Sequence, residues 1–354
     1  MAGRRRMGDA RAGFGRRRLL QAGAAAATLL AAPRIARAAP PLIRYATGGG
    51  IGPNEMETVV FLDWMKQNVL RQIDKTYSLE MTFTRGSPEA ASLLAAGQVD
   101  MGMLAFSTFA TTMVKGAVPA GLTIVGDGYQ DGRPGYTSNT FFVLKDSPID
   151  GPAALKGRKI GINAFGSAVD LALRVWLKAH GLDPKRDVQV VEIAFGNMAA
   201  ALREKRIDCG VLVLPFKATE EAKGDLRGLF TGGDALGPHA VTIKVVNTAF
   251  AQAHRDAVRG FLADYITGLK WFYDPANRDH ALDITADFTK QPKAALDGYF
   301  LTARDYYRDP NGCLTAAAVQ APIDAMAREG LLDGKVDVRE HLDLSFLPNA
   351  CPAA

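Results

Sequence analysis

The chain has 354 residues, 48 % hydrophobic and 22 % charged, a globular composition that excludes a collagen-like or disordered protein. Its formal charge of +5 is an N-terminal effect: nine of the 42 basic and one of the 37 acidic residues precede Ala39, and the remainder carries −3. With no basic stripe interleaved with aromatics, nucleic acid is excluded as an expected partner.

The first 38 residues read as an export leader. Arg16-Arg17 precedes Leu19-Leu20, the pattern of the twin-arginine route. The Ala/Leu run over 19–32 is too short to span a bilayer comfortably. Ala36-Arg37-Ala38 places small residues where a signal peptidase reads them, and no cysteine follows to take a lipid. The expected mature protein begins at Ala39, is soluble in the bacterial periplasm, and is a monomer. Its roughly 316 residues exceed one ordinary hydrophobic core, so two lobes are expected.

A short strand over 43–47 runs into Gly48-Gly49-Gly50-Ile51-Gly52-Pro53. Apolar residues at helical spacing predict a helix over 55–73. A strand over 79–84 precedes Ser87-Pro88, the N-cap and first position of a helix. A strand over 100–105 leads to a helix at Ser107, and another strand covers 122–125. A Gly-rich loop over 126–135 leads to an extended stretch at 140–144. The second half repeats the plan: strand 159–163, helix 168–180, strands 188–192, 208–214 and 229–230. A returning strand over 241–247 precedes helices at 250–273, 279–289, 293–307 and 316–329. Such alternation predicts α/β lobes with mainly parallel sheets. The first lobe takes 39–137 and 245–354, the second 138–244, with two extended hinge crossings.

One cassette occurs in both halves. At a single offset Leu94, Val99, Asp100 and Gly102 fall on Leu202, Ile207, Asp208 and Gly210. Each copy is a helix end, a turn through the Asp, an apolar strand, and a polar or aromatic residue at the strand's end. Helix–turn–strand units are common, but the shared Asp-x-Gly favours duplicated lobes. Ligands of open α/β sheets sit beyond the carboxyl ends of strands. Those ends nominate Ser107 and Thr108 in the first lobe, and Phe165, Gly166, Ser167, Pro215 and Phe216 in the second. Ser107-Thr108 and Gly166-Ser167 each open a helix, where free amides favour an anion. Simple capping is the alternative. Gly49, Gly50 and Ile51 form a close-approach loop; Pro53 and the lack of a ribose-binding acid argue against a dinucleotide fingerprint. Arg85 is a candidate partner for a carboxylate or sulfonate. Phe165, Phe216 and Tyr136 are candidate walls of the cleft.

Cys313 and Cys351 lie beside turns in an oxidising compartment and are expected to pair; Cys209 is expected as a buried thiol. The histidines are scattered, and no nucleophile elbow or reactive cysteine setting occurs. No catalytic residue, metal or cofactor is therefore assigned.

The run Pro152-Ala-Ala-Leu-Lys-Gly-Arg-Lys-Ile-Gly-Ile-Asn through Gly166-Ser167, with Leu182-Asp183-Pro184 and Ile207-Asp208 to Pro215-Phe216, is similar to ABC-transporter substrate-binding proteins of the nitrate/sulfonate/taurine type. That family also includes binding proteins for thiamine-precursor pyrimidines. The resemblance implies a type II periplasmic-binding-protein fold, a small-molecule ligand and an ABC permease as partner. This chain departs from it at the Gly-rich first loop and at Leu214. The expected function is a receptor for a small anionic organic molecule, not an enzyme. The rivals are a receptor of a tripartite carboxylate transporter and an exported enzyme acting on a pyrimidine-like substrate.

Overall fold

The computed structural model describes residues 39–48 and 54–352. The leader, with its twin arginine, lies outside the described residues. So do Gly49, Gly50 and Ile51.

Two five-stranded sheets share one plan. The first contains β1 (Leu42–Ala46), β2 (Ser78–Thr82), β3 (Met101–Ala105), β4 (Leu122–Asp131) and, last in the chain, β10 (His239–Asn247). Its order is β2-β1-β3-β10-β4. The second contains β5 (Thr140–Leu144), β6 (Lys159–Ile162), β7 (Gln189–Glu192), β8 (Cys209–Leu212) and β9 (Leu226–Thr231), in the order β7-β6-β8-β5-β9. In each, three strands run parallel, and the strand arriving from the other lobe is antiparallel to both its neighbours. The sheets are therefore mixed rather than mainly parallel. A strand entering from the hinge end must run against strands that finish there.

The repeated Asp has the same task in both lobes. Asp100 accepts the backbone N–H of Arg44 at 3.0 Å and the Arg44 guanidinium at 2.6 Å. Asp208 accepts the backbone N–H of Lys159 at 2.9 Å, with Arg158 3.6 Å away. Each carboxylate thus ties the start of one strand, β3 or β8, to its parallel neighbour, β1 or β6. The repeated Gly leaves room for different neighbours: a Cβ on Gly102 would lie 2.8 Å from the Ala46 carbonyl of β1, and one on Gly210 would lie 2.9 Å from the Ile207 and Met198 side chains.

β10 is buried over nearly its whole length and belongs to the first sheet throughout. The chain leaves the second sheet after β9 and enters the first at His239. Of the Gly-rich stretch 126–135 expected as a loop, residues 126–131 form the second half of β4 and 132–135 a turn. β10 passes so close that a Cβ on Gly128 would stand 2.7 Å from the Thr242 carbonyl, so glycine permits the pairing instead of breaking it.

Three expected helices are broken. The first is split into Glu57–Val60 and Asp63–Asn68, because Leu62 turns extended at ψ 153°. His254 divides Thr248–Ala253 from Arg255–Tyr273. Helix Lys293–Asp297 stops early: the buried Asp305 carboxylate accepts from Leu301 N–H and holds a turn there.

Helices pack on both faces of the first sheet. Arg255–Tyr273 covers one, with Tyr45, Phe61 and Tyr77 around Phe261. Ser87–Ala95, Phe106–Val114 and Ala316–Arg328 cover the other. The second lobe's core centres on Phe230, stacked between Phe141 and Trp176. The helical tail packs on the first lobe, as the sequence reading expects. A disulfide joins Cys313 to Cys351 with their Cα atoms 5.6 Å apart, and Cys209 is a buried free thiol. Among the described residues no helix is long and apolar enough to cross a membrane.

Candidate functional site

A pocket of about 500 Å³ lies between the lobes. It sits where both sheets present the carboxyl ends of their parallel strands. Gly48 follows β1, Arg85 to Pro88 follow β2, Ala105 ends β3, and Thr108 lies in the first turn of the helix after it. Opposite them, Asn163, Ala164 and Ser167 to Val169 follow β6, Phe195 follows β7, and Val213 to Phe216 follow β8.

On the second-lobe side Ser167 is the N-cap of helix Ala168–Ala179. Its Oγ accepts from Asp170 N–H at 3.3 Å and donates to Asn163 Oδ1 at 2.9 Å. The two amides before it are spent. Gly166 N–H donates to Asp170 Oδ2 at 2.8 Å, and Phe165 N–H to Glu192 Oε1 at 2.6 Å. Asp170 is fully buried and also holds Arg174 Nε at 2.8 Å. Gly166 and Phe165 therefore depart from the expectation: neither lines the pocket, and the Phe165 ring is 54 % exposed. Ala168 and Val169 do line it, and their N–H groups have no acceptor within the helix. Pro215 and Phe216 also line it.

On the first-lobe side helix Phe106–Val114 has no side-chain cap, so its first-turn amides stay free. Thr108 faces the pocket. Ser107 does not; it is 1 % exposed and its Oγ lacks a partner among the described residues. The helix begins at Phe106, one residue earlier than expected, and that rotation turns Ser107 inward. Ser87 stands inside its helix rather than at the cap, and its Oγ accepts from Ala105 N–H at 2.9 Å. Arg85 reaches the pocket's mouth, but its side chain is 93 % exposed and paired with Glu89 at 3.2 Å. Tyr136 lies elsewhere, in a second depression beside Lys217 and Tyr299.

Several lining residues have no local signal in the sequence. Tyr129 and Thr242 come from mid-strand positions of β4 and β10, Asn139 from the outward crossing, and Gln291 from the helical tail. Asn54 donates to the Leu214 carbonyl across the cleft. Leu214 N–H donates to Tyr306 OH at 3.1 Å, and the Leu214 side chain is buried in the first lobe's core. The lobes are thus held together directly. Glu55 is a buried carboxyl whose Oε2 accepts from Gly48 N–H at 2.8 Å. Burial and the neighbouring Glu57 push it up to about 8.

Comparison with known proteins agrees with this architecture. The nitrate/nitrite binding protein NrtA of Synechococcus elongatus is 25 % identical over 235 residues, covering 64 % of this chain and 49 % of that protein. The chain thus spans about half the length of that relative. A putative aliphatic sulfonates-binding protein of Escherichia coli is 23 % identical over 255 residues, 72 % of this chain and 76 % of that one. Among solved structures, the periplasmic aliphatic sulphonate binding protein SsuA of Escherichia coli superimposes with a TM-score of 0.66 at 21 % identity, covering 85 % of this chain and 92 % of that one. A Candida albicans protein described as having the generic periplasmic binding protein fold gives 0.62 at 13 % identity, over 88 % and 99 % of the two chains. The fold is that of periplasmic binding proteins, with two α/β lobes. The NMT1-like family model matches residues 67–286, more than half of the sequence, and the chain belongs to the NMT1-like family.

Proposed function

We propose that this chain is the periplasmic solute-binding receptor of an ABC importer. It takes a small anionic organic molecule, sulfonate- or carboxylate-like, between its lobes and presents it to a permease in the inner membrane. The observation that carries this reading is the pocket itself. Strand ends and helix N-termini from both lobes converge on one cavity of about 500 Å³, and its wall offers the free amides of Ala168 and Val169 with the Thr108 hydroxyl. Helix N-termini favour negative charge. The relatives are named for nitrate and for sulfonates, which are oxyanions.

The site is Thr108, Ser167, Ala168, Val169, Pro215 and Phe216, with Arg85 at its first-lobe edge, and Gly49, Gly50 and Ile51 are carried as ligand contacts on their sequence alone. The first lobe is 39–137 with the chain after the return crossing, and the second lies between the crossings. Closure about those crossings forms the docking-competent state. We read the protein as a monomeric receptor without a cofactor, exported by the twin-arginine route. Native mass spectrometry of periplasmic protein, followed by calorimetry with a panel of sulfonates and carboxylates, tests the ligand class. Binding of no organic anion refutes it. Replacement of Arg16 and Arg17 by Lys tests the route, and normal export of that variant refutes it.

A further inference from the structure

The pocket lining holds a buried carboxyl that takes part in no ion pair among the described residues. Glu55 is 5 % exposed, lines the pocket, and is oriented by Gly48 N–H. The groups that act on it are Glu57 on its own segment, Tyr45 from β1, Tyr129 from β4 and Lys244 from β10, and the same buried cluster holds Asp127 beside Lys244 and, beside Tyr129, Arg308 from the tail. Both cations are committed elsewhere. Lys244 Nζ lies 2.8 Å from Glu57 Oε1 and donates to the Asp127 carbonyl. Arg308 pairs with Asp305 at 3.0 Å. Four buried carboxyls, Glu55, Glu57, Asp127 and Asp305, therefore share two cations. A buried carboxyl left without a partner keeps a proton instead. Burial accordingly lifts Glu55 to about 8 and Asp127 to about 7. Of these four, Glu55 is the one that lines the pocket. The only other charged residue of the described lining is Arg85, exposed and held by Glu89.

We propose that Glu55 is a specificity-determining residue whose carboxylate takes a cationic nitrogen of the ligand, a primary ammonium or a protonated ring nitrogen. The ligand is then bipolar, with its anion toward the amides of Ala168 and Val169 and its cation toward Glu55. The anionic half rests on the receptor reading above; the cationic half rests on Glu55 alone. There is room for both ends, since about 500 Å³ far exceeds the roughly 30 Å³ that one water occupies. Binding exchanges the Glu55 proton for the ligand's nitrogen, so the proton leaves to solvent as the ion pair forms.

The test uses three probes on the mature protein, read by calorimetry and thermal shift. 3-Aminopropane-1-sulfonate and butane-1-sulfonate have the same length and differ in the ammonium; butylammonium has the nitrogen and no anion. The aminosulfonate is expected to bind at least about tenfold tighter than butane-1-sulfonate, the worth of one hydrogen bond to a charged group. It should release about one proton at pH 7, measured in buffers of different ionisation enthalpy. Glu55→Gln, close in shape, should abolish both the preference and the proton release while still folding cooperatively. Equal affinity for the two sulfonates, or a preference that survives in Glu55→Gln, overturns the assignment and leaves the anion receptor intact. If neither sulfonate binds but butylammonium stabilises the wild type and not Glu55→Gln, the Glu55 assignment stands and the anion reading falls. No stabilisation by either nitrogen-bearing probe overturns the assignment.

Discussion

Thr108→Val, Ser167→Ala and Ser107→Ala remove three similar hydroxyls with three different consequences. The Thr108 hydroxyl faces the pocket beside uncapped amides and has no protein partner among the described residues. Valine keeps its shape and removes only the donor. A hydrogen bond to a charged ligand group is worth roughly 1.5–3 kcal/mol, so affinity should fall about tenfold or more. Melting of the ligand-free protein should hardly change. Ser167 is the opposite case. Its hydroxyl proton is committed to Asn163, and its oxygen caps Asp170 N–H. Its loss should cost about 1 kcal/mol of stability, a few degrees of melting temperature, with affinity changed less than about threefold. Ser107 is buried and unpartnered, so alanine there should leave affinity unchanged and stability unchanged or slightly higher. Circular dichroism without ligand and calorimetry with the ligand identified by native mass spectrometry separate the two quantities. If Ser167→Ala loses tenfold in affinity while Thr108→Val loses none, the assignment of free and committed donors is wrong.

Glu55 makes stability depend on pH. Its folded value of about 8 lies above its ordinary 4.5, so the folded protein keeps a proton that the unfolded chain has released. That contribution is full below 4.5 and is lost as pH rises through about 8. The advantage of Glu55→Gln over wild type should therefore grow across that window, as denaturant titrations at several pH values would reveal; a constant difference contradicts the burial argument. The Cys313–Cys351 link closes 38 residues, for which chain entropy gives about 4 kcal/mol. Cys313→Ser should lower denaturant stability by an amount of that order, and thiol counting of the denatured wild type without reductant should find one free cysteine, not three. Leu214→Ala empties a fully packed position where the second lobe enters the first lobe's core, at about 2–5 kcal/mol. Small-angle scattering should show a more open particle, and an unchanged radius with unchanged stability would argue against Leu214 as a lobe-to-lobe contact.

Local chemistry was enough to read the two-lobe plan. Strand and helix periodicity is set by neighbours in sequence, and the Asp-x-Gly repeat marked the duplication because each lobe needs the same tie between two parallel neighbours, β1 and β3 or β6 and β8. Ser167 was legible as a cap, since capping is decided within one turn. The Cys313–Cys351 pair was legible from compartment and turn context. What only the tertiary structure decided were matters of distance between remote segments. Gly128 looks like a loop residue until β10 comes near enough to forbid a side chain. Ser107 and Thr108 are equivalent in sequence, yet the helix register sends one inward and one to the pocket. Gly166 offers an amide until the buried Asp170 carboxylate folds back and takes it. Glu55 is one acid among 37 until packing buries it beside Glu57 and leaves Lys244 paired with Glu57 instead, and that balance of charge belongs to the packed lobe rather than to any stretch of chain.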